Sequence, residues 1–300
     1  MIGDAARKAT DAELRRLERE LQHAYKRAYA EMYKKWYDYM SGFKDREKPY
    51  LDRLAKAMES GNNVEIGAAK RSYRSFISNN TLQSREYARI RDQLAAKLTD
   101  INKAAQEIIN GRMANVYALN YNYLAGTLPK AYTYGLITPQ TVNNLTKRTL
   151  DLVKNKKWNQ QRMNKEVFQG LLQGESMDKI AGRFKNVFGM NATSAIRYAR
   201  TAVTCAENQG RFDSYKEAEE QGVVMVKVWA ATHDNRTRKS HEDIDGDEVD
   251  INEKFSNGLM FPGDPSGDAA EVYNCRCAMG TRIVGFKDKY GVIHYVKGNG

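Results

Sequence analysis

The residues of this chain best suited to chemistry lie in its last quarter. His233, Asp234, Arg236, Arg238 and His241 fall close together, and Asp245, Glu271, Cys275 and Cys277 follow. Two thiols and an imidazole are soft to borderline donors of the kind that bind zinc, so His241, Cys275 and Cys277 are a candidate metal set. His233, Asp234, Asp245 or water stay open as the fourth ligand. A metal-free alternative treats the cysteines as small apolar fillers and pairs His241 with a carboxylate. A catalytic alternative uses His233, Asp234, Arg236 and His241 for acid/base work and phosphate charge in a nuclease-like or transferase-like enzyme. No nucleophile with a paired base, no phosphate-cradling glycine loop and no paired-His metal motif stands out elsewhere, so a non-enzymatic chain is expected.

These residues sit in loop sequence. Asp245-Gly246, Asn257-Gly258 and Pro262-Gly263-Asp264-Pro265 crowd turn formers into a stretch that apolar burial alone cannot hold. Regular elements must therefore frame it. Val223 to Trp229 is a short, mostly apolar, β-branched run that reads as a buried strand. Thr281–Lys287 and Val292–Lys297 flank Asp288-Lys289-Tyr290-Gly291 and predict a closing hairpin.

Upstream the period is that of helices. Leu14, Leu17, Leu21, Tyr25, Ala28, Met32, Tyr33 and Trp36 recur at three- and four-residue spacing, which predicts a long amphipathic helix over 11–40. Pro49 sits where a first helical turn can begin, and Gly61-Asn62-Asn63 interrupts before a helix to Ser78. Asn79-Asn80-Thr81 offers a cap for a helix reaching about Tyr123, which Gly126 and Pro129 end. Thr138-Pro139 predicts a helix towards Lys154, and a shorter one follows over 159–172. Ser176 caps a helix to Phe188 that Gly189 should stop, and Asn191 or Thr193 opens another to Gln221, ended by Gly222. Cys205 falls inside this last helix as a buried small residue. The expected fold class is α+β, with a long, mainly helical N-terminal body over 1–172 and a small C-terminal α+β domain over 173–300 holding a strand, a long ordered loop and the hairpin.

The net charge is +11, and its location is informative. Residues 1–120 hold 23 Lys+Arg against 16 Asp+Glu, residues 121–222 hold 15 against 9, and residues 223–300 hold 10 against 12. The basic excess thus belongs to the helical part, which suits a phosphate-rich or acidic partner or a solvated helical surface equally. There is no run of eighteen apolar residues and no apolar signal core at the amino terminus, so a soluble chain made in the cytoplasm, without a membrane span, is expected. Cysteines spaced as Cys275 and Cys277 are strained as a disulfide, which argues against a disulfide scaffold.

The pattern Asp234-x-Arg236-Thr237-Arg238-x-x-His241, then Asp245-Gly246, Phe255, Pro262-Gly263-Asp264-Pro265, Glu271 and Asn274-Cys275-Arg276-Cys277, resembles the C-terminal signature of the phage Mu F-like minor head protein family. Ile196-Arg197-Tyr198-Ala199-Arg200-Thr201 and Asn208-Gln209-Gly210 resemble its lead-in, so the likeness spans about residues 170–283. It implies a minor capsid protein of the phage virion, acting in head morphogenesis. The implied partners are the portal protein and capsid or scaffold proteins, with non-specific contact to DNA during packaging or ejection. The implied place is the capsid interior or portal vertex, after a cytoplasmic phase of assembly in the host. Carried over position by position, the metal ligands are His241, Cys275 and Cys277, while Arg238 stands where many members have a cysteine and cannot ligate zinc.

Overall fold

The computed structural model describes residues 4–142, 145 and 154–296. The chain is α+β: nine helices and four strands follow one another among the described residues, with the strands confined to the last third. The helices are α1 (Ala5–Ser41), α2 (Lys44–Ser60), α3 (Asn63–Asn80), α4 (Arg85–Ala125), α5 (Lys156–Gln173), α6 (Met177–Gly182) and α7 (Phe184–Glu220), then the four-residue helices α8 (Lys239–Glu242) and α9 (Ala269–Val272). The strands are β1 (Val223–Ala230), β2 (Glu248–Asp250), β3 (Ala278–Lys287) and β4 (Ile293–Tyr295).

The helix expected over 11–40 forms and extends at both ends, burying Leu17, Leu21, Tyr25, Met32, Trp36 and Met40. Helix α2 begins before Pro49, because buried Glu47 in its first turn accepts hydrogen bonds from the Tyr73 hydroxyl (2.6 Å) and the Met177 amide (2.8 Å). Asn62 caps α3 and Asn155 caps α5, each accepting from helix N–H groups. The stop expected at Gly189 does not occur, and α7 runs through it. A glycine inside a helix costs only about 1 kcal/mol, and the burial of Phe184, Val187, Phe188, Asn191 and Ala195 around it outweighs that. Gly222, at φ +93°, does end α7. Of the helix expected from Thr138-Pro139, a 3₁₀ turn over Pro139–Thr141 is seen, and most of the remainder lies outside the described residues.

The chain packs as two compact units, each assembled from separated stretches of sequence. Unit 2 comprises Glu20–Ala105 and Asp151–Ala195 and is helical throughout its described part. A buried relay crosses its interior: Tyr25 donates to Asn102, Asn102 to Asn191, and Asn191 to Asn159. Such a relay satisfies polar groups and fixes one packing of the helices. Unit 1 comprises Met1–Arg19, Gln106–Leu150 and Ile196–Gly300.

Unit 1 holds an antiparallel sheet of order β2-β1-β3-β4. The expected strand and hairpin are present, and β2 is an addition that the sequence pattern did not signal. Strand β1 lies centrally, with Val223, Met225, Lys227 and Trp229 buried on one face. One core joins Val223, Met225 and Met279 to Leu124, Tyr215, Ala218 and Phe261. A second surrounds Trp229 with Ile244, Phe255, Leu259, Val272, Cys275 and Cys277. At Gly210 α7 comes close to α4, since a Cβ there would stand 2.4 Å from the Tyr117 carbonyl oxygen.

Candidate functional site

His241, Cys275 and Cys277 meet in the second core of unit 1, each no more than 2% exposed. The His241 Nδ1 lies 3.7 Å from the Cys275 Sγ and 3.4 Å from the Cys277 Sγ. On the other side of the ring, Nε2 donates to the Glu271 carboxylate at 2.9 Å, and that carboxylate also accepts from the Ser240 hydroxyl at 2.9 Å. The Trp229 ring packs edge-on against the imidazole, 5.0 Å between centroids. Cys275 and Cys277 share a hydrogen bond that pushes the Cys275 thiol up and draws Cys277 well below the ordinary thiol range, with His241 reinforcing the second effect.

The backbone that carries the cysteines is clamped by a polar stripe on α7. Asn274 adopts a left-handed φ of 58° and donates its amide to the Thr201 hydroxyl at 2.9 Å. The Thr204 hydroxyl donates to the Cys275 carbonyl at 2.7 Å. Asn208 donates to the Cys277 carbonyl at 3.2 Å and accepts from the Met279 amide at 2.7 Å. Their 3- and 4-residue spacing puts all three on one helix face. Continuing the stripe, Arg211 forms a bidentate pair with Asp4 (2.8 and 3.0 Å) and donates to the Asn120 side chain and the Met279 carbonyl. Fully buried Glu207 pairs with Arg7, and Arg7 also donates to the Arg276 carbonyl at 2.8 Å. Burial holds the Glu207 carboxyl up at about 6, against the pull of Arg7 and Arg211. Sequence reasoning met Thr201 and Asn208 only as part of the lead-in and passed over Thr204, Glu207 and Arg211; the available signal was a polar stripe at helical spacing.

The other motif residues hold the loop. Asp234 forms a bidentate pair with Arg276 and accepts from the Arg236 amide, and these bonds keep its carboxyl far below the usual range. Arg236 itself is exposed. Arg238 donates to the Tyr273 carbonyl and so ties the α8 end of the loop to the residues before Cys275. Asp245 accepts from the Ala231 amide at 2.7 Å and meets His233, which is exposed, at 3.2 Å. Gly246 turns with a φ of 84°. After Pro262, Gly263 has a φ of 81°, and a Cβ there would lie 3.1 Å from the Cys205 nitrogen, so the loop presses directly on α7. Buried Asp264 accepts from Met260, Ser266 and the Ser266 hydroxyl, closing the turn. His233, Asp234 and Asp245 are thus engaged away from the sulfurs, and among the described residues the group suited to a metal is His241, Cys275 and Cys277, with donor atoms all within 4.8 Å of one another.

One buried cation also fastens the loop. Lys227 on β1 is fully buried and donates from Nζ to the carbonyls of Ile251 (3.0 Å) and Met260 (2.9 Å), with the Phe212 and Phe255 rings about it. Burial pushes its pKa down to about 8 from 10.5. Between those values the unfolded chain binds more protons than the folded one, so stability should rise with pH across that window. Denaturation midpoints of unit 1 from pH 8 to 10.5 should show this rise, and Lys227→Met should flatten it; an unchanged slope in the variant would assign it to other groups.

The region containing this site has known relatives. Residues 161–280 match the family described as Phage Mu protein F like protein. The chain is 34% identical over 119 residues to an Enterococcus faecalis protein named NAD(+)–arginine ADP-ribosyltransferase EFV, covering 39% of this chain and 24% of that one. It is 32% identical over 116 residues to the minor head protein GP7 of Bacillus phage SPP1, covering 38% and 37%. It is 22% identical over 188 residues to YqbB of Bacillus subtilis, covering 60% and 61%. In each case the match spans less than two thirds of the relative's own length. No solved structure is significantly similar. The ligand, clamp and loop residues from Thr201 to Met279 all lie inside the stretch, residues 161–280, that matches the Phage Mu protein F like family.

Proposed function

We propose that this chain is a structural component of a bacteriophage head that acts in head morphogenesis. The observation that carries this reading is the family match over residues 161–280, which contains the clamped loop, together with the SPP1 relative, which is named a minor head protein. On this reading residues 173–300 are the morphogenesis module, and the helices of 1–172 provide surfaces for portal, capsid or scaffold proteins. The chain is placed in the virion, at the capsid interior or portal vertex, after assembly in the host cytoplasm. No helix among the described residues is long and apolar enough to cross a membrane. Quantitative mass spectrometry of purified procapsids and heads tests this. A few copies per particle are expected, and absence from both overturns the reading.

The packing units sharpen the expectation for DNA. Unit 2 holds 25 Lys+Arg against 15 Asp+Glu, whereas unit 1 holds 23 against 22, so nearly the whole net charge belongs to unit 2. Weak, sequence-independent duplex binding is expected, falling steeply with salt. Charge reversal at exposed Lys26, Lys34, Arg53 and Lys56 should weaken it and flatten its salt dependence, while reversal at exposed Lys8, Arg15 and Arg16 of unit 1 should change it little. Equal loss in both variants would remove the assignment to unit 2.

A second reading is enzymatic, favoured by the ADP-ribosyltransferase name of one relative, which this chain matches over a quarter of its length. The geometry argues for the structural reading: His241 is buried against two sulfurs, Asp234 is locked by Arg276, and His233 turns to Asp245. Incubation with labelled NAD+ and arginine-rich acceptors, and with duplex DNA, should give neither label transfer nor cleavage. Turnover abolished by His241→Ala would establish the enzyme instead.

A further inference from the structure

We infer that His241 Nδ1, Cys275 Sγ and Cys277 Sγ are three ligands of a zinc ion, and that Glu271 is the outer partner that aims the imidazole at it. The distances fit the metal. Zinc bonds of about 2.3 Å to sulfur and about 2.0–2.1 Å to nitrogen, at tetrahedral angles, set ligand nitrogen and sulfur about 3.6 Å apart; the two separations here are 3.4 and 3.7 Å. One imidazole nitrogen faces both sulfurs, an arrangement a single hydrogen bond does not require and a shared ion does. The remaining ring nitrogen donates to Glu271, which leaves the Nδ1 lone pair directed at the sulfurs, as in the carboxylate–histidine–zinc arrangement. Ser240 holds the Glu271 carboxylate in place.

Charge and preorganisation agree with the fit. Two thiolates neutralise a divalent ion, so a buried site carries no net charge from its ligands and metal. Thr204 and Asn208 already fix the carbonyls of Cys275 and Cys277, so little chain entropy is lost when the ion enters. With His233, Asp234 and Asp245 occupied elsewhere, the fourth position falls to a solvent molecule. The ion joins α8 to the start of β3 across the loop, which is the cross-link that a turn-rich stretch needs. This inference stands independently of the role in the phage head.

Cobalt titration of the reduced, full-length protein tests it. A thiolate-to-cobalt charge-transfer band and tetrahedral d–d bands should saturate at one ion per chain and be displaced by one equivalent of zinc. Cys275→Ser with Cys277→Ser should abolish the charge-transfer band. Glu271→Ala should weaken zinc binding about 10–100-fold in chelator competition, and Glu271→Gln, which keeps an acceptor, should recover part of that loss. The wild-type spectrum decides even where a variant misfolds: a folded, reduced wild-type chain that takes up cobalt without a charge-transfer band, or none at all, overturns the site. Zinc affinity unchanged in Glu271→Ala, with folding intact, overturns the role of Glu271.

Discussion

Replacing Arg211 by alanine is expected to destabilise unit 1 by about 3–5 kcal/mol, the usual cost of removing one partner from a buried ion pair. Its side chain is 5% exposed and holds Asp4 through both oxygens, with Asn120 and the Met279 carbonyl as further acceptors. Without it Asp4 loses its guanidinium partner and keeps only the Arg7 amide of the bonds described, and Glu207 must rely on Arg7. Burial already holds the Glu207 carboxyl up at about 6, so removing a nearby cation should raise it further. Arg211→Lys keeps the charge but not the planar fork and should fall between wild type and alanine. Adding Glu207→Gln to the alanine variant should return part of the loss, because a neutral amide costs less to bury than an unpaired carboxylate. Hydrogen exchange in β3, followed through denaturant, reads the effect where Arg211 meets Met279. A loss below about 1 kcal/mol, within the range of exposed pairs, would show that the network contributes little.

Trp229→Ala should be of similar size, about 3–5 kcal/mol, for a different reason: a large buried aromatic leaves a cavity that its neighbours cannot close. The ring is fully buried and meets His241 and Phe255 edge-on at 5.0 and 5.1 Å between centroids. Its indole N–H finds no protein acceptor among the described residues, so the contribution is one of packing. Trp229→Phe should therefore cost markedly less than alanine, since it keeps most of the ring and removes a buried donor. Thermal unfolding of both variants, with zinc retention measured alongside, distinguishes a packing effect from a hydrogen-bonding one. Equal losses would mean that the N–H, and not the ring, is what the core needs.

These two residues also mark how far the sequence could be read. Trp229 belongs to a strand whose apolar, β-branched run was plain in the sequence, and its burial follows from that run. Arg211 is one of many arginines on a long helix, and nothing local sets it apart, because its partners Asp4 and Asn120 are far away in the chain. The same holds for Lys227, whose only local signal was a charge at a buried strand position. Gly189 shows the opposite failure: a local stop signal was present, and burial on both sides of it overruled the propensity.

The sequence by itself determined the α+β class, the periodic face of α1, the central strand, the closing hairpin and the identity of the loop residues that matter. Those features depend on neighbours three or four positions apart in helices and two apart in strands, and a linear reading captures that spacing. Only the tertiary structure decided that His241 faces both sulfurs, that Glu271 rather than a more distant acid receives its other nitrogen, and that Thr201, Thr204 and Asn208 hold the cysteine backbone. It also decided that the positive charge gathers in one of two units interleaved along the chain. Each of these depends on contacts between segments thirty to two hundred residues apart, whose pairing is fixed by burial and hydrogen-bond satisfaction over the whole core and leaves no local trace in the chain.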